Sequence, residues 1–476
     1  MRKFTILFAV ALAVFAGSAY ANFCARDVVP AATLLVPYAV VGHTGGVPDA
    51  AKETTLFSIT NVSSNATIVH VTLWDAKSNP EIDFDVLLSG YDTWQVNFRD
   101  VMLGRFDLFD TNNTAFGNVP PRVPYQWGPD GLDWTGTSPA PQAWALPTPE
   151  DRNVVPLVTE PPCTQPPYGD LSSLSATIVG KFIDVLVPHA HNGCTQRVRP
   201  DKTSWTTTLS ALGGSPITFY VTADVVDSCS TLFPTAAGYW PTPGDFRNTI
   251  IGDIVYFDAT NNYSEMFNAV HLEADQQWGG PTFYVRYLAT AGNDFREPLP
   301  TAYAFRYVDE APTFSSNVIV WKNLTEFINT PPDVDDCGRY LYYAWDHNEH
   351  SLSRTVQGGP SGFDFLDRDP NQFPFETQSV ALTAQQFDLY PNLGAGSNNV
   401  GWMLLVFPPS YGGAYDTPLL NDAITQAWVG LTFKYNILGN KFSAGTEAAT
   451  MASPHCFPGQ ILPALGVEWD YLGMVE

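Results

Sequence analysis

Apolar residues recur at every second position in this chain, in short runs that glycine, proline and asparagine interrupt. In "EIDFDVLLSG", Ile82, Phe84, Val86 and Leu88 share one side, and Asp83 and Asp85 share the other. "WQVNFR" sets Trp94, Val96 and Phe98 against Gln95, Asn97 and Arg99. A period of two marks a half-buried strand, because successive side chains leave a strand on opposite faces. Ser89-Gly90-Tyr91-Asp92 supplies turn chemistry between the two runs, which predicts a hairpin over 81–99 with both aspartates in solvent. Related runs are "TLFSITN", "ATIVHVTLW", "ITFYVTADVV", "DIVYFDA", "AVHLEAD", "TFYVRYLA", "YAFRYV", "NVIVWKN", "RYLYYAW", "GWMLLVF" and "AWVGLTFKY". Helical spacing is scarce. Many short strands between turn-forming breaks select an all-β fold of two tandem antiparallel β-sandwich domains over strand–helix units.

With 476 residues the chain has room for two or three domains. Residues 22–232 read as a first sandwich, interrupted by an irregular insertion over about 104–200, where roughly a third of the 39 prolines crowd into 119–167. The stretch "FPTAAGYWPTPGDF" makes 233–248 a linker, 249–445 a second sandwich and 446–476 a C-terminal tail. An internal repeat is suggested by the order of elements. "TTLFSITN", "ATIVHVTLWDAKSNP" and "DFDVLLSGYDTWQV" are followed later by "SNVIVWKN", "RYLYYAWDHNEHS" and "TQSVALTAQQFDL". On that alignment "DHNEH", with His347 and His350, replaces "DAKSN" and is a turn rather than a zinc site, which would require His-Glu-x-x-His on a helix.

The N-terminus has the layout of an export signal: Arg2 and Lys3, an apolar core over 4–15, and Ala19-Tyr20-Ala21 as the cleavage site. The apolar run is short for a membrane span, so the expected product is a secreted chain, extracellular or periplasmic, starting at Asn22 without membrane insertion. The formal charge of −25 falls to −27 when Arg2 and Lys3 are removed, which argues against a nucleic-acid partner. Cys24, Cys163, Cys194, Cys229, Cys337 and Cys456 form no Cys-x-x-Cys pair, so in an oxidising compartment they are expected to join as disulfides. The pairing is open. Cys163 with Cys194 is the pair nearest in sequence and the first expectation.

Few residues carry recognisable chemistry. "AVHLEAD" places His271, Glu273 and Asp275 on one strand face. A sugar-cleaving cleft would use Glu273 as acid with Asp275 or Asp253 as partner; the plainer reading is a polar sheet face crossed by Glu–Arg pairs with Arg286 and Arg306. His189 and His191 fall beside Cys194 in a loop rather than a ligand set. "DVDDCGRYLYYA" has Cys337 and Ala344 where a calcium loop needs oxygen ligands, which leaves an irregular structural calcium site at Asp333, Asp335 and Asp336. Trp127, Trp134 and Trp144 in the insertion either stack on sugar rings or anchor the loop. No other cofactor is implied. A glycan or a second copy of the chain remains as partner, and structural or ligand-binding roles are set beside glycoside hydrolysis or carbohydrate binding.

"ARDVVPAATLLVPY", "TTLFSITN", "HVTLWD", "LSGYDTWQVNFRDV", "AVHLEAD" and "REPLPTAYAFRY" together resemble a group of secreted bacterial β-sandwich proteins with no assigned activity. The resemblance spans most of the chain beyond the leader. It implies export and a β-rich fold and supplies no catalytic residue.

Overall fold

The computed structural model describes residues 29–76, 78, 80–104, 126–127, 132–133, 175–183, 216–227, 232–234, 239–240, 246–275, 282–286, 294–310, 313–322, 340–346, 351–356, 376–382, 400–407, 426–437 and 440–450. The first half runs β1 Thr33–Val41, β2 His43–Thr44, β3 Val47–Pro48, β4 Glu53–Asn61, β5 Thr67–Asp75, β6 Pro80–Leu88, β7 Thr93–Asn97, helix α1 Phe98–Met102, β8 Gln126–Trp127, β9 Leu132–Asp133, helix α2 Ser175–Ile183, β10 Ile217–Val226, β11 Ile250–Asp258, β12 Tyr263–Asn268 and β13 Val270–Leu272. The second runs β14 Ala302–Glu310, β15 Phe314–Lys322, β16 Tyr340–Asp346, β17 Ser351–Val356, β18 Thr377–Ala381, β19 Val400–Val406, β20 Ala427–Ile437, β21 Asn440–Glu447 and β22 Ala449–Thr450.

The described residues are nearly all β, in two large antiparallel sheets of nine strands each. In the first, β6-β5-β10-β1-β13 and β7-β4-β11-β12 are joined where Val41 meets Thr54, and a bridge between Ala31 and Ile250 ties them again just before β1. The sheet folds over at that corner into two layers. Phe84 of β6 faces Trp94 of β7 across the core at 5.8 Å between ring centroids, and Phe57 stacks on Phe98. The second sheet has the layers β17-β16-β19-β14-β22 and β18-β15-β20-β21, joined at Asp309–Ser315 and Glu310–Phe314. Its nine strands follow the first nine in the same chain order, and each strand pairing of the first sandwich has a counterpart in the second.

Several expectations need correction. The alternation over 81–99 assigns the buried face correctly, with Phe84, Val86, Leu88, Trp94 and Val96 all buried. The hairpin does not form: β6 pairs with β5, and β7 pairs with β4 in the opposite layer. Turn residues fix where a chain reverses, and a reversal can cross a sandwich as readily as it can close a hairpin. Asp85 is not in solvent but buried against His70. "TFYVRYLA" contains a short 3-10 turn, Phe283–Arg286, rather than a strand, because adjacent Phe283 and Tyr284 are both buried and break the alternation. The insertion includes α2, whose Ile178, Val179 and Phe182 are buried, with Phe182 against Phe219.

The boundary drawn at 249 also separates strands that belong together. β11 pairs with β4 along its length and β13 pairs with β1, so the sheet changes between Leu272 and Ala302. Residues 233–248, read as a linker, supply Tyr239 and Trp240, which are buried against the first sheet's outer face. The second sandwich packs against the first. Trp321 meets Tyr220 and Phe283, Trp428 meets Phe267, and the Thr377 hydroxyl donates to the Pro37 carbonyl. One buried cluster therefore runs from the first core to Ile319, Trp321 and Trp428.

Candidate functional site

Two polar clusters lie inside this architecture, and they differ in access. The first occupies the outer face of β1, β10, β5 and β6. Cross-strand register lines up Thr33, Asp224, His70 and Asp85 in one row. The Asp224 carboxylate accepts from the Thr33 hydroxyl at 2.6 Å, Tyr239 at 3.0 Å and Tyr284 at 2.9 Å. Arg296 donates to the Thr33 oxygen and to the Asp294 and Ala32 carbonyls, while its guanidinium lies 3.9 Å above the Trp240 ring. His70 bonds Asp85 through Nδ1 at 2.8 Å, and its Nε2 is 3.7 Å from Asp83.

Burial pushes the Asp224 carboxyl up, against the lowering charge of Arg296 and the hydroxyl donors. Burial alone would lower His70, but the bond and charge of Asp85, with Asp83 and Asp224 behind it, raise it above the usual imidazole range. His70, Asp224, Asp294 and Arg296 have no exposed surface. A group that meets neither water nor a cleft has no substrate to act on. This row holds Tyr239, Tyr284 and Arg296 over the sheet.

The second cluster is open. Where β1, β4, β11 and β12 face β15, β18 and β20 there is a cavity of about 230 Å³. A bulge in β1 between Val36 and Ala39 turns Tyr38 toward it. The Tyr256 hydroxyl holds that bulge by donating to the Tyr38 carbonyl at 2.7 Å, and the two rings lie 5.7 Å apart. Carboxyls enter from three strands: Glu53 on β4, Asp258 on β11 and Glu265 on β12. Lys434 comes from the second sandwich. Its ammonium group lies 5.3 Å from the Tyr263 ring, and that of Lys441 lies 5.8 Å from the same ring.

Glu265 is the unusual member. In β12, Tyr263, Glu265 and Phe267 alternate inward while Ser264, Met266 and Asn268 face water, so a carboxyl sits where the pattern calls for an apolar side chain. It is 7% exposed, and its Oε1 has no hydrogen-bond partner. Burial pushes its carboxyl up to about 7, with Lys434 opposing the shift and Asp258 adding to it. An unpartnered acceptor facing a cavity is a place where a ligand donor lowers the free energy of the whole site.

The residues singled out in the sequence lie elsewhere. Glu273 and Asp275 adjoin Glu297 across a short bridge at Ala274–Arg296, with the Glu297 amide bonded to the Glu273 carbonyl. Burial and those two carboxylates push Glu297 up to about 7. His271 accepts from the Gly252 amide, and burial lowers its imidazole, so it serves the strand contact as a neutral ring. Arg306 is on β14 in the other sandwich. Trp127 falls in the two-residue strand β8. Trp134, Trp144, His189, His191, Asp333, Asp335, Asp336, His347, His350 and all six cysteines lie outside the described residues. Among the described residues no group of three or more His, Cys, Asp or Glu is placed to hold a metal ion. None of their helices is long and apolar enough to cross a membrane. The missed residue, Glu265, was legible as the inward position of "YSEMFN". A lone carboxyl among aromatics lacks the paired-carboxylate signature of a hydrolase. No protein-family model and no curated protein matches the sequence.

Proposed function

We propose that this chain is an exported, non-enzymatic binding protein that takes its ligand in the cleft between the two sandwiches. The observation that carries the reading is Glu265, a carboxyl 7% exposed whose Oε1 has no hydrogen-bond partner, lining a cavity beside Tyr38, Tyr256 and Tyr263. Aromatic walls with a few converging polar groups are the usual composition of a ligand site, and such sites favour the junction of two domains. The leader supports export, and the cysteines support disulfide cross-linking in an oxidising compartment. Matching strand order in the two sandwiches supports a tandem duplication, which leaves a seam between copies that neither unit needs for its own core.

The test is a thermal-shift screen of the mature protein against mono- and oligosaccharides, amines and short peptides. A native-state ligand at a hundred times its Kd stabilises by about 2.7 kcal/mol. Ser379 lies at the exposed mouth, and Ser379→Trp should erase the shift while leaving the unliganded melting temperature within about 2 °C. A ligand shift that survives this plug places binding elsewhere. Release of reducing ends from a polysaccharide, abolished by Glu273→Gln, would replace binding by hydrolysis at Glu273, Asp275 and Glu297.

A further inference from the structure

We propose that the cleft recognises a primary ammonium group, carried by a free amine or by a lysine side chain of a peptide, with Glu265 as its counter-ion. This deepens the reading of the cleft as a ligand site and rests on it. The unsatisfied atom is Oε1 of Glu265, an acceptor once the carboxyl is ionised, so a ligand for that form brings a donor. A hydroxyl would satisfy the lone pair but leave an ionised carboxylate desolvated; an ammonium group answers both the hydrogen bond and the charge.

The surroundings point the same way. The cavity lining has three carboxyl groups, Glu53, Asp258 and Glu265, against one cation, Lys434, so it becomes doubly negative when Glu265 ionises. Tyr38 and Tyr256 line the wall, and the negative face of a tyrosine ring attracts an ammonium group. The protein already uses that attraction beside the cavity, where Lys434 and Lys441 approach the Tyr263 ring.

The groups facing Glu265 define its proton balance. Lys434 from β20 favours the ionised form, whereas burial and Asp258 from β11 favour the neutral one. Glu53 from β4 and the phenols of Tyr38, Tyr256 and Tyr263 complete the lining, and Lys441 from β21 lies behind Tyr263. Burial, helped by Glu53 and Glu265, pushes the Tyr38 phenol far up, and Tyr256 is raised by burial and Tyr38, so both stay neutral. Glu265 is thus the cleft acid poised to lose a proton as a cation enters.

The experiment titrates the mature protein with n-butylammonium and Nα-acetyl-lysine amide, against n-butanol and glucose as uncharged controls, by calorimetry at pH 6 and pH 8. The ionised fraction of a group titrating near 7 rises from about one-tenth to about nine-tenths over that interval, so ammonium affinity should rise about tenfold. Binding at pH 7 should release protons, read as a dependence of the heat on buffer ionisation. Glu265→Gln should weaken binding at pH 8 at least tenfold and flatten the pH response, whereas Lys434→Met should tighten it several-fold.

A response to butylammonium alone assigns a free amine, and a preference for the lysine amide assigns a peptide. Equal binding of butanol, affinity that is flat in pH, or full retention in Glu265→Gln overturns the ammonium assignment. If glucose binds in its place and Ser379→Trp blocks it, the cleft remains the ligand site and only the ligand class falls. If no probe binds and Ser379→Trp leaves the screen's ligand shifts intact, both proposals fall.

Discussion

Register allows the two sandwiches to be compared residue by residue. The row Thr33, Asp224, His70 and Asp85 in the first has as its counterpart Ala302, Val406, Leu341 and Thr355 in the second. One row is charged and wholly enclosed, while its counterpart carries no charge. The strands, their order and their pairings are the same, so the fold does not require the charges. What differs is the cover. Residues 239–240, 282–284 and 294–296 close over the first row, bringing Tyr239 and Tyr284 to its carboxylate and Arg296 to the Thr33 hydroxyl.

A neighbouring cross-strand pair repeats the lesson. Trp74 stacks on Tyr220 in the first sandwich and Trp345 on Trp402 in the second. Trp74 and Tyr220 are fully buried, whereas Trp402 is 39% exposed. Gly252 opposite Ile59 and Gly430 opposite Ile319 occupy matching places as well, and an added Cβ at either would meet a neighbouring atom within 2.7 Å. The strand pairing is the same in both halves; the surroundings decide what an outward side chain must be.

The sharpest way to break the comparison is to remove one ion from the enclosed row. Arg296→Met leaves Asp224 without its counter-charge and should cost about 3–5 kcal/mol in denaturant unfolding. Importing the second sandwich's residues, with Thr33→Ala, Asp224→Val, His70→Leu and Asp85→Thr beside Arg296→Met, should recover at least half of that loss. A quintuple variant no more stable than Arg296→Met alone would show that the charged row is required after all.

Next in size is the aromatic pair. Trp74→Ala opens a cavity under the second sandwich and should cost about 3 kcal/mol or more. Trp402→Ala at the matching place should cost about 1 kcal/mol or less, because part of its ring is already in water. Equal losses would mean that cover is irrelevant to the pair.

The pH response sharpens the comparison further. Burial pushes Asp294 up to about 6, and Glu265 and Glu297 reach about 7. Each native value lies above its unfolded one, so these groups stabilise fully below the unfolded values and lose that contribution as pH rises from about 4 to the native values of 6 to 7. Asp294 alone accounts for about 3 kcal/mol, lost between its unfolded value near 4 and its native value near 6. The melting temperature should therefore fall from pH 5 to pH 8. Asp294→Asn should flatten the curve, and a profile unchanged by that substitution would exclude Asp294 as a source.

Legibility in the sequence followed the same division. Alternation in 82–88 and 94–98 named the buried face, because a period of two needs only local information. It left partners open: β6 and β7 are adjacent in sequence and lie in opposite layers. Asp85 read as a solvent residue because its partner His70 is contributed by another strand. Tyr239 and Trp240 were hidden among prolines, which mark irregular backbone without saying whether it is buried. Glu265 breaks its own strand's alternation, and such a breach is visible before any partner is known.

The bond between Thr33 and Asp224 spans 191 positions, and the Arg296 bond to the same threonine spans 263. A chain made from its N-terminus at about 5–20 residues per second therefore completes β1 roughly 10–40 s before β10 exists to pair with it. During that interval a strand whose nine positions include eight destined for burial has no edge to join. Contacts of such long reach also close slowly once the chain is whole. The newborn chain thus has to be kept from pairing with its neighbours for longer than it takes to make its first two hundred residues.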